Sequence, residues 1–403
     1  KRGFAHMFEH IMFRGTDRVG SEQHFEFIHR TGGNCNGYTN FDVTVYIQEV
    51  PSNQVELVFW LESERLAFLK INDQYFTTER NVVAEEYRVG KEQPYGDVPE
   101  QLLPQLFPGG TYSWSVIGLL DDLYGSTAAD LQQFWETYYV PNNATLVVVG
   151  DIEHAAIQQL AERYFGWIPR YPEPPALAVP PAPMNQEPMK IAVTAQNGPA
   201  PVIGVGYRTV PRGHADQLPL EMLGAILGGN ESSRLYNRLV LKDKSAVVAG
   251  AMGISLEKDG GFGAGAVLSP FSALNPFSSD KKEAFRAIRE EIERLKQAGP
   301  TEQELLKAKN NALRNAVTSQ LTDSNKADVL GDFTVLEQDS NKVNRQFDEI
   351  RAVTTQDLQR VAQTYLRPER EIEVEVKPSV LGFLKKQLLG SQAQEPKREE
   401  TET

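Results

Sequence analysis

Of 403 residues only one is a cysteine, Cys35, so an internal disulfide is excluded, and a single thiol says little about compartment. No apolar run approaches the roughly 18 residues that a membrane-spanning helix requires, and no such span is expected. Basic residues are outnumbered, 41 Lys and Arg against 54 Asp and Glu, for a net charge of −13. That balance argues against nucleic acid as a partner and suits a protein that takes peptides, although acidity by itself mostly concerns solubility. Histidine is scarce too, with six in the whole chain. Scarcity makes any clustering of histidines informative.

Two of the six stand in His6-Met7-Phe8-Glu9-His10. On a helix each residue advances about 100°, so His6, Glu9 and His10 share one face. Two imidazoles one turn apart can bind one zinc, and a carboxylate between them can activate water at the metal. The order H-x-x-E-H is the inverzincin signature. With so few histidines, chance gives this pattern on the order of once in a hundred such chains. An amphipathic helix that merely carries histidines is the bland alternative.

A zinc site needs a third protein ligand. The segment from Thr78 to Arg88 has helical spacing, with Val82, Val83 and Tyr87 able to face a core. Glu79 and Glu86 lie seven apart, about two turns, and share a face, whereas Glu85 points about 100° away. Glu86 is therefore the candidate ligand and Glu79 a second carboxylate lining the site. A single helical glutamate is otherwise a solvated charge.

These motifs, and most of the chain, resemble the pitrilysin/insulinase family of inverzincins. Gly3-Phe4-Ala5-His6 and Phe13-Arg14-Gly15-Thr16 are similar to its G-x-A-H-x-x-E-H…F-x-G-T. Gly33 to Thr39, with Asp42, Thr44, Tyr46 and Pro51, resembles its G-x-x-N-A-x-T-x-x-D-x-T-x-Y…P, with Gly37 at the usual alanine. In that family the third ligand is a glutamate about 76 residues past the second histidine, where Glu86 stands, with another seven before it, where Glu79 stands. The resemblance implies one zinc per chain held by His6, His10 and Glu86, with Glu9 as general base and Glu79 supporting the site. It also implies an edge strand on which Asn36, Gly37 and Tyr38 bind peptide; strand addition turns such an edge into a recognition device. An ordinary hairpin with turn-forming Asn and Gly is the alternative there. Family members usually carry a strand pair upstream of the zinc helix, so a preceding segment is expected. Bacterial periplasm, cytoplasm and mitochondrial matrix all stay open as compartments.

The chain also repeats itself. Asp130-Leu131-Gln132, Thr137-Tyr138 and Pro141 recur at Asp357-Leu358-Gln359, Thr364-Tyr365 and Pro368, with one offset of 227 residues. Each copy follows a Thr-x-x-Asp capping signal and leads into an expected strand, Ala144–Val149 and Glu371–Val376. Repeats this long are duplicated domains. The expected organisation is a zinc-binding domain over 1–168, a proline-rich linker over 169–188, a homologous domain without zinc over 189–385, and a polar tail over 386–403. Eight of the 24 prolines lie between Pro169 and Pro188. Strands and helices alternate without regular βαβ spacing, which predicts an α+β fold of two similar domains, each a mostly antiparallel sheet packed with helices. Helices are expected from Ser279 or Asp280 to Gly299, over 302–320 behind a Thr301/Glu304 capping box, and over 324–350.

Carried forward by 227, positions 6 to 10 align with 233–237, where no histidine pair stands. His24, His29 and His154 lack ligand spacing and read as surface or packing residues, and His214 as a loop residue. The glycine-rich run Gly260–Gly265 lacks a GK[ST] ending, so it reads as a strand turn and not as a phosphate loop. Relatives often supply a second electrophile from the domain without zinc, an arginine and a tyrosine seven residues later in S-S-R-L-x-x-x-x-R-x-x-x-x-x-x-Y. Anchored on Ser232-Ser233-Arg234-Leu235, those positions fall here on Val240 and Val247. The expected function is therefore a zinc endopeptidase subunit that cleaves peptides or unfolded segments in a chamber. The Arg/Tyr pair would come from a homologous partner that lacks H-x-x-E-H. A self-sufficient homodimeric peptidase and a non-catalytic scaffold are the alternatives.

Overall fold

The computed structural model describes residues 1–175, 184–269 and 280–379. The middle of the proline-rich linker and the expected tail over 386–403 lie outside them. The first half begins with helices α1 (Phe4–Ile11) and α2 (Gln23–Arg30) and the antiparallel hairpin β1 (Asn34–Thr39) and β2 (Thr44–Glu49). Helices α3 (Val55–Phe68), α4 (Asp73–Glu92), α5 (Val98–Leu106), α6 (Leu120–Tyr124), α7 (Ala128–Tyr138) and α8 (His154–Phe165) follow. The second half opens with β3 (Met189–Ala195), β4 (Val202–Thr209), α9 (Gln217–Gly228) and a π-helical stretch, Tyr236–Lys242. It continues with β5 (Ala246–Ser255), β6 (Gly260–Leu268), α10 (Asp280–Ala298), α11 (Glu302–Thr318), α12 (Asp323–Leu336), α13 (Lys342–Ala352), α14 (Thr355–Tyr365) and β7 (Ile372–Pro378). The five strands order as β3-β7-β4-β6-β5, antiparallel except for β3 beside β7. The fold is α+β.

The halves are built alike. α1 packs on its hairpin and on α4 and α7; α9 packs on the β5–β6 hairpin and on α11 and α14. Thr127/Asp130 and Thr354/Asp357 both close complete capping boxes at the starts of α7 and α14, as does Thr301/Glu304 at α11. Element order thus makes α9 the counterpart of α1, which corrects the alignment of 6–10 with 233–237. The offset of 227 holds near the capping boxes and shrinks towards α9 because the intervening connections differ in length. α9 has no histidine; Met222, Leu223 and Ile226 are buried in the core of the second half.

Four further expectations are corrected. Ala144–Val149 runs without a ladder partner among the described residues. Its repeat equivalent, β7, is held between β3 and β4. Val82 is exposed while Val83 is buried. The helix expected over 324–350 breaks between α12 and α13, where Gln338 is left-handed (φ 53°) and Asp339 accepts the Asn341 amide. Finally, Gly260–Gly265 is no turn but part of β6, a central strand between β4 and β5.

Candidate active site

α1 is held by its apolar face. Phe4, Met7, Phe8 and Ile11 are buried against Phe76, Val83 and Ala84 of α4 and Leu131 of α7. Its N-cap, Gly3, is left-handed (φ 86°), and a Cβ there would lie 2.5 Å from the Ile117 carbonyl oxygen, so only glycine fits. With that face inward, His6, Glu9 and His10 are left half-buried on the other side.

On α4, Glu79 and Glu86 meet the two histidines. Glu86 Oε2 lies 3.6 Å from His6 Nε2 and 3.5 Å from His10 Nε2. These three side chains offer ligand atoms within 4.8 Å of one another. Zinc with bonds of about 2.0–2.1 Å and tetrahedral angles sets neighbouring ligand atoms about 3.3 Å apart. The donor set and its spacing fit zinc, and Glu86 is half-exposed, so one side is open.

Glu79 is buried at 2% exposure, with Oε2 3.2 Å from His10 Nδ1 and Oε1 2.5 Å from Arg14 Nη2. A carboxylate on Nδ1 fixes the tautomer and turns the Nε2 lone pair towards the convergence point. Burial pushes the His10 pKa down, but hydrogen bonds and charge from Glu79 and Glu86 outweigh it and raise it to about 9. Burial likewise lowers the pKa of His6, and here burial wins over Glu86. Glu86 is held below the usual carboxylate range, chiefly by His10. In Glu79, burial pulls upward and the His10 and Arg14 partners overcome it, so its pKa is lowered too. His6 Nδ1 is buried and has no hydrogen-bond partner among the described residues.

Glu9 points at the hairpin, where Thr39 Oγ1 donates to its Oε2 at 2.6 Å. A Cβ on Gly37 would lie 3.1 Å from Glu9 Cγ, so β1 passes directly beside the carboxylate. Side chains alternate along a strand, so Asn36 and Tyr38 leave the opposite face. The Tyr38 hydroxyl donates to Asp328 of α12, at 2.5 Å, and Asn36 Oδ1 accepts the Gly37 amide. β1 pairs with β2 alone among the described residues, which leaves its other edge open.

The remaining histidines stay apart. His24 is buried beside Gln48, and burial with the charge of Arg65 pushes its pKa down to about 3. It is a packing residue, while His29 and His154 are exposed. Two neighbours of the site were not singled out from sequence, Arg14 and Thr39. Both stand inside the motif stretches quoted above, and that is the only signal that points to them.

Two family models match this chain. Residues 1–118 match "Insulinase (Peptidase family M16)", and residues 126–312 match "Peptidase M16 inactive domain". The chain belongs to the insulinase family, peptidase family M16. The first match holds every residue of the cluster, and the second holds histidine-free α9. The zinc protease PqqE of Helicobacter pylori is 29% identical over 387 residues, covering 94% of this chain and 84% of that protein. A crystal structure of a protease from Helicobacter pylori superposes with a TM-score of 0.85 at 27% identity, covering 93% of this chain and 90% of the other. The mitochondrial-processing peptidase subunit beta of Blastocladiella emersonii is 29% identical over 169 residues, 42% of this chain and 36% of that one. Insulinase-family membership and the two-domain short type thus accord with the α+β fold. They make this chain a member of a zinc peptidase family.

Proposed function

We propose that this chain is the zinc-bearing subunit of a two-chain endopeptidase that cleaves peptides or unfolded segments. The observation that carries the reading is the meeting of His6 Nε2, His10 Nε2 and Glu86 beside Glu9 in a chain whose second half has valines where the resemblance expects a transition-state pair. The positions where relatives carry arginine and tyrosine hold Val240 and Val247, and neither donates through its side chain. Nearby arginines are committed elsewhere: Arg234 is bidentate to Glu304 at 2.6 and 2.7 Å, and Arg238 bonds Asp243 at 2.6 Å. The beta subunit of mitochondrial-processing peptidase, similar over 42% of this chain, is by name one subunit of an assembly.

His6, His10 and Glu86 would hold one zinc. When bound, zinc polarises the scissile carbonyl and makes water a better nucleophile. Glu79 keeps His10 oriented and is itself held by Arg14. A peptide added along the open edge of β1, past Asn36, Gly37 and Tyr38, would bring its backbone beside Glu9. Glu9 accepts a proton as water adds to the carbonyl carbon, then passes it to the amide nitrogen as the C–N bond breaks.

The test is to purify the chain with whatever chain it retains, measure zinc, and assay peptide hydrolysis with and without that partner. Bound zinc, feeble hydrolysis alone and restoration by a homologous chain carrying the Arg/Tyr pair are expected. Missing oxyanion donors typically cost on the order of a hundred- to a thousandfold. Full activity of the purified chain as a homodimer would remove the divided site. Glu9→Gln should keep zinc and abolish turnover in either assembly.

A further inference from the structure

The hairpin face that meets α1 carries a row of hydroxyls. Register pairs Gly37 with Tyr46 and Thr39 with Thr44, so Thr39, Thr44 and Tyr46 share the face on which Gly37 leaves room for Glu9. Thr39 Oγ1 lies 2.6 Å from Glu9 Oε2 and 3.2 Å from Thr44 Oγ1. Behind them the Tyr46 and Tyr139 hydroxyls lie 3.1 Å apart.

The direction of this chain follows from proton counting. A carboxylate that serves as a base is ionised and only accepts. Thr39 has one hydroxyl proton, so donating it to Glu9 obliges Thr44 to donate to Thr39. Both threonine hydroxyls are turned towards Glu9.

We infer that Thr39 is a positioning residue that aims the Glu9 carboxylate, with Thr44 behind it fixing the direction of its proton. This rests on Glu9 being the base. The strand whose open edge would take the peptide therefore also holds the base, so substrate docking and base alignment share one element. An edge-strand threonine commonly satisfies whatever carboxylate is near. What sets this one apart is its half-buried place on the face that meets Glu9, with Thr44 at 3.2 Å fixing the direction of its proton.

The experiment compares Thr39→Val, which keeps the shape and removes the donor, with Thr39→Ser, which keeps the donor, in the zinc-loaded protein with its partner chain. Thr39→Val should lower kcat by about ten- to a hundredfold, part of what a general base supplies. KM, zinc content and melting temperature should stay near wild type, and Thr39→Ser should recover kcat to within about threefold. A second readout needs neither partner nor turnover. Acetohydroxamate chelates zinc and presents a proton to the base, so calorimetric binding to the zinc-loaded chain should weaken about tenfold in Thr39→Val and not in Thr39→Ser. Wild-type kcat in Thr39→Val, or equal damage from valine and serine, overturns the positioning role. A fully active Glu9→Gln instead overturns the reading of Glu9 as base, whatever the threonine variants do.

Discussion

His10 carries two carboxylates on one ring, Glu79 at Nδ1 and Glu86 at Nε2, and is protonated at neutral pH in the metal-free chain because its pKa is raised to about 9. Zinc requires the neutral ring, so binding must expel that proton. Zinc affinity is expected to rise by about tenfold per pH unit between pH 7 and 9, with close to one proton released at pH 7.5. Calorimetry in two buffers of different ionisation heat measures it, and no proton release would mean His10 is already neutral. The stability sign is opposite. A raised histidine pKa stabilises the metal-free fold fully below about 6.5, and that contribution fades as pH climbs through about 9. Glu86→Gln should weaken zinc directly, because a neutral amide is a poorer ligand than a carboxylate. Unchanged metal after dialysis would hand the third place to another residue. Residue spacing puts His6 beside His10 and Glu79 beside Glu86, since 100° per residue decides facing within a helix, but that the two helices meet comes from the resemblance to the insulinase family. Arg14 could not be read from spacing, because it follows the end of α1, and Thr39 could not, because no local rule says which helix a hairpin will cover.

α1 is only eight residues long and depends on what it packs against, since a helix that short is unstable alone. Phe8 is fully buried, stacked on Tyr139 with ring centroids 4.6 Å apart and 5.2 Å from Phe134. Phe8→Ala should cost about 3–5 kcal/mol in denaturant unfolding. Zinc affinity should fall with it, because the same helix presents both imidazoles. Stability loss with zinc affinity intact would show that the ligands do not need the helix held. In the second half, Glu304 is both the N3 member of the α11 capping box and the partner of Arg234. Burial pulls its pKa upward, but Arg234 and Thr301 overcome this and hold it down at about 2. A depressed carboxylate stabilises above its unfolded value near 4.3 and loses the effect as pH falls through about 2. Glu304→Gln should therefore destabilise at pH 7, by about 1 kcal/mol for a part-exposed pair, and match wild type near pH 2. The capping boxes were legible because two residues three apart specify them. Ala144–Val149 misled because strand composition describes one chain, while a ladder needs a neighbour. The α12–α13 break was missed because a left-handed Gln338 carries no composition signal.

At the scale of the molecule, the two hairpins of the repeat meet tip to tip. Asp42, at the β1–β2 tip, accepts the Tyr112 hydroxyl at 2.5 Å and the Glu257 amide at 3.0 Å, and the Tyr112 oxygen accepts the Lys258 amide at 3.1 Å. Glu257 and Lys258 belong to the loop between β5 and β6, so one carboxylate and one phenol join the half that holds the histidines to the half that holds the five-stranded sheet. Burial, and then Asp42, push the Tyr112 pKa well above its ordinary value, so the phenol remains a donor at any working pH. Tyr38 makes a second bridge to Asp328 a few residues along the same strand. The placement of β1 is thus set by the second half as much as by α1. Asp42→Ala removes both acceptors at the tip and leaves two donors to find water. Amide exchange in β1 and β2 should speed up, and KM for peptides should rise and kcat fall several-fold together, because β1 carries both the proposed docking edge and Thr39 beside Glu9, while the zinc cluster is not touched. Zinc affinity should stay at the wild-type value. Exchange mass spectrometry on the two hairpins reads the first effect directly. If β1, β2 and the β5–β6 loop exchange as in wild type, the tip contact does not hold the halves in register, and the placement of β1 must come from its other contacts, with α1, α2 and Asp328.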